Sequence, residues 1–169
     1  MANTYKAIAT VTVGSGGAAT IDFTSIPATY TDLLIKLCAR GTSTAGSAGN
    51  VGYLKPNGST SNQTRRILYG LGNSSGSDPG TDWAYYIVPS DHTANTFGNT
   101  EIYLPNYASS NNKSASFDSV TENNATTAYM MLSASLWADV SVISSLTMSL
   151  AAGNFAQYST ATLYGIKNS

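Results

Sequence analysis

The chain has 169 residues, 42% of them hydrophobic but only 10% charged, where an ordinary soluble domain has about 25% charged residues. Eight Lys+Arg against nine Asp+Glu leave a net charge of −1, so there is no basic surface to neutralise a phosphate backbone, and nucleic-acid binding is not expected. Apolar runs of only a few residues are too short for a membrane span, and one cysteine and one histidine support neither a disulfide scaffold nor a cysteine zinc site.

Ser, Thr, Asn and Gly take the place of the missing charge. A near-neutral surface is prone to association, while its hydroxyl and amide groups keep it wetted, so the composition points to a protein that lives in an assembly. The length suits a single domain over residues 1–169 with a core of its own. Met1-Ala2-Asn3-Thr4 leads directly into an alternating segment without a basic and apolar leader, which predicts synthesis in a cytoplasm with no export signal. The Asn-x-Ser/Thr triplets at Asn57, Asn62, Asn73, Asn112 and Asn124 are what chance produces in so Asn- and Ser-rich a chain.

Period-2 alternation dominates and predicts strands. In the first segment Tyr5, Ala7, Ala9, Val11 and Val13 share one face, and Ala19, Ile21 and Phe23 follow after Gly14-Ser15-Gly16-Gly17. This pair reads as a hairpin, ended by Pro27. A third strand over Asp32–Arg40 turns Leu33, Ile35, Leu37 and Ala39 inward. Residues 41–50 read as a long loop, followed by strands at Val51–Leu54 and Arg65–Leu71 with a Pro56-Asn57-Gly58 turn between them. Gly72–Gly80 reads as loop. Trp83–Val88, Glu101–Leu104 and Lys113–Val120 are further strands. Thr127–Ala138 is strand or short helix, because Met130, Leu132, Leu136 and Trp137 fit neither period; the flanking turn residues favour strand. Val140–Leu150 and Ser159–Ile166 complete the set. About ten strands with turns every 8–15 residues predict an all-β fold, an antiparallel, jelly-roll-like β-sandwich; a continuous barrel is the alternative.

The chain offers little for chemistry. His92, in the loop Pro89–Thr93, is the only imidazole, and no Gly-x-Ser-x-Gly elbow accompanies it; it reads as a solvated loop residue. Cys38, between Leu37 and Ala39, reads as a buried small hydrophobe. The nine carboxylates are scattered, with no pair spaced for glycoside hydrolysis. Ser77–Asp82 could offer oxygen ligands to Ca²⁺, but an Asp-Pro-Gly turn explains it as well. No catalytic residue, metal or cofactor is assigned. The remaining candidates are aromatic. Tyr5, Trp83, Tyr85, Tyr103 and Tyr107 are possible contacts to subunits or sugar rings, against a competing reading as core; Tyr85 and its neighbour Tyr86 must point to opposite faces of a strand.

Three segments, Phe23-Thr24-Ser25-Ile26-Pro27-Ala28-Thr29-Tyr30-Thr31-Asp32-Leu33, Ile102-Tyr103-Leu104-Pro105-Asn106-Tyr107, and the ending from Gly153 to Ile166, give the chain its resemblance to a group of small structural proteins of tailed bacteriophages, chiefly those of cyanobacteria and aquatic bacteria. The resemblance implies a virion component with a jelly-roll-like sandwich, and it brings no catalytic residues. The leading expectation is a capsid decoration (cement) protein on the outer surface of the head, contacting the major capsid protein and copies of itself as a homotrimer. Its expected contact elements are the Tyr5–Phe23 hairpin and the end of the sandwich that carries the long loops. The alternative is a tail-fibre or receptor-binding domain that holds a host glycan.

Overall fold

The computed structural model describes residues 4–44, 49–122 and 128–167. Met1–Asn3, the middle of the 41–50 loop, Thr127 and the Asn124 triplet lie outside the described residues. Twelve strands follow in order: β1 (Tyr5–Thr12), β2 (Thr20–Phe23), β3 (Asp32–Ala39), β4 (Asn50–Pro56), β5 (Gln63–Leu71), β6 (Ser74–Gly80), β7 (Ala84–Ile87), β8 (Gly98–Leu104), β9 (Lys113–Glu122), β10 (Ala128–Trp137), β11 (Leu146–Leu150) and β12 (Thr160–Ile166). They form an eight-stranded sheet, β1-β12-β3-β8-β9-β10-β5-β6, and a four-stranded sheet, β2-β11-β4-β7. Every strand pair is antiparallel. The protein is a β-sandwich.

The inward faces follow from the alternation. Leu33, Ile35, Leu37 and Ala39 of β3, Ile102 and Leu104 of β8, and Ala115 and Phe117 of β9 are buried against Ile21, Phe23, Leu54, Ala84, Tyr85, Leu146 and Met148 of the smaller sheet. The connections add Ile26, Trp83, Tyr107, Ile143 and Phe155, all buried. Trp83 meets Phe117 edge to face at 6.1 Å.

Four expectations are corrected. First, β1 and β2 do not form a hairpin. They lie in opposite sheets, because the chain crosses between layers at Val13–Ala18, where Val13 N bonds Ser159 O at 2.8 Å and Ala18 N bonds Phe155 O at 3.1 Å. Second, the five alternating residues of the first segment do not share a face. A bulge between Ala7 and Ala9 shifts the register, and an extra residue reverses the side-chain phase. Tyr5 and Ala7 therefore lie on the outer face, while Val11 turns to the core with Ile8 packed beside it. Third, the glycine- and serine-rich 74–80 segment is an edge strand, paired with β5 from Arg65↔Gly80 to Leu71↔Ser74; Pro79 is tolerated there because an edge leaves one side of the ladder open. Fourth, Val140–Ser145 is irregular and only Leu146–Leu150 is strand. Asn57 holds that stretch in place of a ladder: its Oδ1 accepts from Ser144 N at 2.9 Å and Ser145 N at 3.1 Å, and its Nδ2 donates to Val142 O at 2.8 Å.

Within the sheets, glycines make room for large neighbours. Gly52 pairs with Tyr85, Gly76 with Tyr69 and Gly80 with Arg65, and in each case a Cβ on the glycine would fall within 2.2–2.5 Å of the partner's ring or guanidinium. A sheet glycine without a side chain lets an aromatic ring lie flat across the ladder. Gly52→Ala would force the fully buried Tyr85 out of place and is expected to destabilise the protein by about 3 kcal/mol or more, as core overpacking does. Gly14→Ala, with open space around the new methyl, should change stability by less than about 0.5 kcal/mol. Urea unfolding of the two variants checks both values.

Candidate interaction surfaces

The structure divides the aromatic candidates. Trp83, Tyr85 and Tyr107 are buried in the core, so none of them is a surface contact: the smaller sheet and the connections need their bulk to fill the space over the wider sheet. Tyr86, as adjacency to Tyr85 requires, points the other way and is half-buried. Tyr103 is half-buried on the outer face. Tyr5 is 56% exposed and remains a surface candidate.

Tyr103 and Tyr107 belong to a structural clasp. The buried carboxylate of Asp32 accepts from Tyr103 Oη at 2.8 Å and from Asn106 N at 2.9 Å, while Tyr107 Oη donates to Pro27 O. The positive φ of Asn106, 50°, lets the turn after β8 present its N–H to Asp32, since Asn tolerates that region well. Two of the segments that carry the phage resemblance are thus joined by their own side chains. The hydrogen bond to Asp32, then burial, raises the pKa of the Tyr103 phenol above its usual value.

The polar candidates are likewise absorbed into structure. Arg65 takes both acidic groups of the suggested calcium loop, pairing with Asp82 and lying 3.6 Å from Asp78, which explains this segment as an ion-pair network on β5–β6 in place of the expected turn. Arg40 donates to the carbonyls of Ser90 at 2.9 Å, His92 at 2.7 Å, Thr93 at 2.8 Å and Thr96 at 3.1 Å. A guanidinium has five donors in a rigid fork, so this one side chain shapes the whole 90–96 loop. His92 is half-buried and its ring lies 5.9 Å from Tyr129, a packed position and not the solvated one expected. Cys38 is an exposed free thiol, because β3 places it on the outer face with Lys36. Among the described residues no three His, Cys, Asp or Glu are placed to hold a metal.

The outer face of the eight-stranded sheet is left uncovered by the smaller sheet and falls into two chemically distinct halves. Over β12, β3, β8 and β9, Thr160, Thr162, Lys36, Cys38, Asn99, Glu101 and Asp118 line a concavity of about 450 Å³. Lys36 and Glu101 are cross-strand partners and form an ion pair, so these two charges neutralise one another, and Asp118, opposite Glu101, is the charge that remains. Tyr5, Leu34 and Tyr164 continue the surface toward the β1 edge. Over β9, β10 and β5, by contrast, an apolar row runs along β10: Met130, Leu132 and Leu136 are exposed with Val120 and Leu68 beside them, bordered by Ser114, Ser116 and Asp118 on β9 and Thr64 and Arg66 on β5. This second half escapes sequence inspection because β10 places Met131, Ser133, Ser135 and Trp137 inward, so serines occupy positions that patterning gives to hydrophobes. A third surface is the loop-bearing end, where Thr42 N bonds Asn154 O at 2.9 Å and Phe155 bridges Ala18 and Gly41. There Tyr158 is 69% exposed with φ 71°, a left-handed conformation that disfavours a bulky residue.

No protein-family model, curated protein or solved structure matches the chain.

Two predictions follow from the clasp and the buried phenols. Asp32→Ala leaves the Tyr103 hydroxyl and the Asn106 N–H without their acceptor and should cost about 2–3 kcal/mol, against about 1 kcal/mol for Tyr103→Phe, measured by urea unfolding. Burial pushes the Tyr85 phenol far above its usual value of 10.0. Below that pH the phenol is protonated in both folded and unfolded chains and contributes no slope. Above it the unfolded chain releases the proton and the folded chain keeps it, so stability falls as pH rises, by up to about 1.4 kcal/mol per pH unit for one group. Tyr85→Phe should show a correspondingly shallower loss of stability in urea unfolding carried out across the alkaline range.

Proposed function

We propose that the protein is a structural component of a bacteriophage virion, a decoration protein that binds the outer surface of the head and stabilises it without a reaction centre. The observation that carries this reading is the uncovered outer face, whose polar half presents hydroxyl and amide groups around an internally neutralised ion pair. Such a surface favours contacts that a neighbouring subunit and bridging water share. The sequence resemblance to phage structural proteins and the low charge of the chain support the same conclusion.

We also infer that the fold is a jelly roll with two insertions. The strands β1-β12-β3-β8 and β2-β11-β4-β7 form two facing groups of four, and successive strands of this kernel alternate between them except for β4 and β7, which pair with each other, as in an eight-stranded jelly roll. The hairpin β5–β6 and the pair β9–β10 then widen one sheet. Because one fold hosts many functions, the functional reading rests on the surface and not on the fold.

In this reading the protein is made in the host cytoplasm and seats on the major capsid protein once the shell is assembled. Binding only the assembled lattice stabilises that lattice by mass action, and many copies on a symmetric shell add their contacts. Purified protein should co-sediment with heads that lack it and raise the temperature at which they rupture. Combining Tyr5→Ala with Thr162→Arg, which removes the exposed ring from the neighbouring hollow and adds a cation to the concavity, should weaken head binding by about tenfold or more. Heads that rupture at the same temperature with and without the protein would defeat the cement role.

A second reading is favoured by the hollow next to that concavity: Tyr5 and Tyr164 beside Lys36 and Glu101 combine flat rings with hydrogen-bonding groups, as sugar recognition requires. A tail-fibre protein that holds a host glycan would bind a glycan array saturably and would not sediment with heads.

A further inference from the structure

We propose that the apolar half of the open sheet face, over β9, β10 and β5, is a two-fold self-association surface on which a second copy of this chain packs face to face.

The register places the exposed apolar residues together. Leu132 lies directly opposite Leu68 on β5, and Met130 lies opposite Val120 on β9. Leu136 continues the row on β10. Leu68 is 57% exposed, Met130 44% and Leu132 42%, values that a sheet face turned permanently to water does not call for. A concavity of about 340 Å³ lies at the Leu68–Leu132 pair, with Ala134, Arg66 and Ser116 around it. Contiguous exposed apolar surface of this kind marks an interaction site.

The outward faces of β9, β10 and β5, three strands at about 4.8 Å spacing and about ten residues of about 3.3 Å each, give roughly 475 Å², so a pair buries the flanking β8 and β6 as well to reach the surface each partner loses in a standard interface. The charges of the face are complementary to themselves. On the outer face Arg66 is opposite Ala134 and Asp118 is opposite Leu132, so the cation flanks β10 on one side and the anion flanks it on the other, one outward position apart along the strand. Both side chains are exposed, and among the described residues neither forms a salt bridge. A two-fold axis along β10 turns β9 of one copy over β5 of the other and brings each Asp118 next to the Arg66 of the second copy, twice in one interface. A net charge of −1 per chain adds little repulsion. A single patch that complements itself closes at two copies, whereas a ring of three requires two different patches, so the pairing replaces the threefold arrangement expected from shell symmetry. It holds whether or not the protein belongs to a virion.

Sedimentation velocity of the full chain over a dilution series tests the proposal. Wild type should sediment at twice the chain mass of 17.6 kDa. Leu132→Asp should sediment at the single-chain mass with its circular dichroism unchanged, since the side chain is outside the core, and its melting temperature should lose the dependence on protein concentration that a dimer gives wild type. Arg66→Glu should raise the dimer dissociation constant by about tenfold or more, and adding Asp118→Arg should restore it to within about threefold of wild type. Tyr158→Asp, equally exposed but before β12 on the far side of the sheet, should leave the dimer intact. A wild-type chain that is monomeric throughout, or a Leu132→Asp chain that still dimerises, overturns the pairing. So does a monomer whose head binding is lost with Leu132→Asp, because the face would then serve the shell. A dimer that ignores heads supports the pairing while defeating the decoration reading.

Discussion

The structure depends on a mismatch of widths. Eight strands at about 4.8 Å spacing extend roughly twice as far as four, so the smaller sheet cannot cover the larger one. Apolar surface left over on the inner side must still be removed from water, at about 25 cal/mol per Å². The chain solves this with bulk from its connections and from the ends of strands. Trp83 precedes β7, Trp137 closes β10, and Ile26, Tyr107, Ile143 and Phe155 come from loops, all of them buried. Large side chains need clearance, and Gly52 lets Tyr85 lie across β4, as Gly165 lets Tyr30 lie across β12. The same need explains polar groups far from water. Lys113 is buried on the inner face, where its ammonium donates to the carbonyl of Ser109 at 2.8 Å and also to that of Asn111, and burial lowers its pKa.

Much of this architecture is legible in the residues. The alternation in Asp32–Arg40 identifies its buried set correctly because β3 lies in the middle of the sheet, where one face meets the core along its whole length. Legibility fails where a second surface competes. In β10 the outward residues Met130, Leu132 and Leu136 are apolar and the inward Ser133 and Ser135 are polar, so hydrophobicity no longer reports burial and no single period fits. β6 fails for a different reason: Ser74, Gly76, Pro79 and Gly80 have weak strand propensity, and the edge position and the ladder to β5 impose the conformation. The bulge at β1 is silent in sequence, since any residue can be the extra one.

The surface candidates were legible only in part, and the reason is again the width. An aromatic residue at a strand position is equally suited to a platform and to a core, and only the three-dimensional shortage of covering strands decides between them. Trp83, Tyr85 and Tyr107 go to the core because loops and short strands must supply volume there. Tyr5 stays outside because it sits on the outer face before the bulge. The segments around Asp32 and Asn106 are similarly reinterpreted: Asp32 binds Tyr103 and Asn106, so a likeness resting on them speaks of how the sandwich is clasped at one end and not of a ligand.

The outer face changes character between β9, whose outward residues are Ser114, Ser116, Asp118 and Val120, and β10. Over β12, β3 and β8 the outward residues are mostly hydroxyl, amide or paired charge, all compatible with water. Over β10 and β5, strands that widen the sheet beyond the reach of the smaller one, they are Leu, Met and Ala with Thr64, Gly70 and one cation, Arg66. Widening a sheet produces inner surface that needs cover and outer surface that does not, so core packing gives no reason for apolar side chains on the outer face of the extension. Exposed leucines at register-matched positions on adjacent strands also raise the risk of unwanted association. A chain with so few charges to oppose that risk tolerates it only where association is what the surface is for.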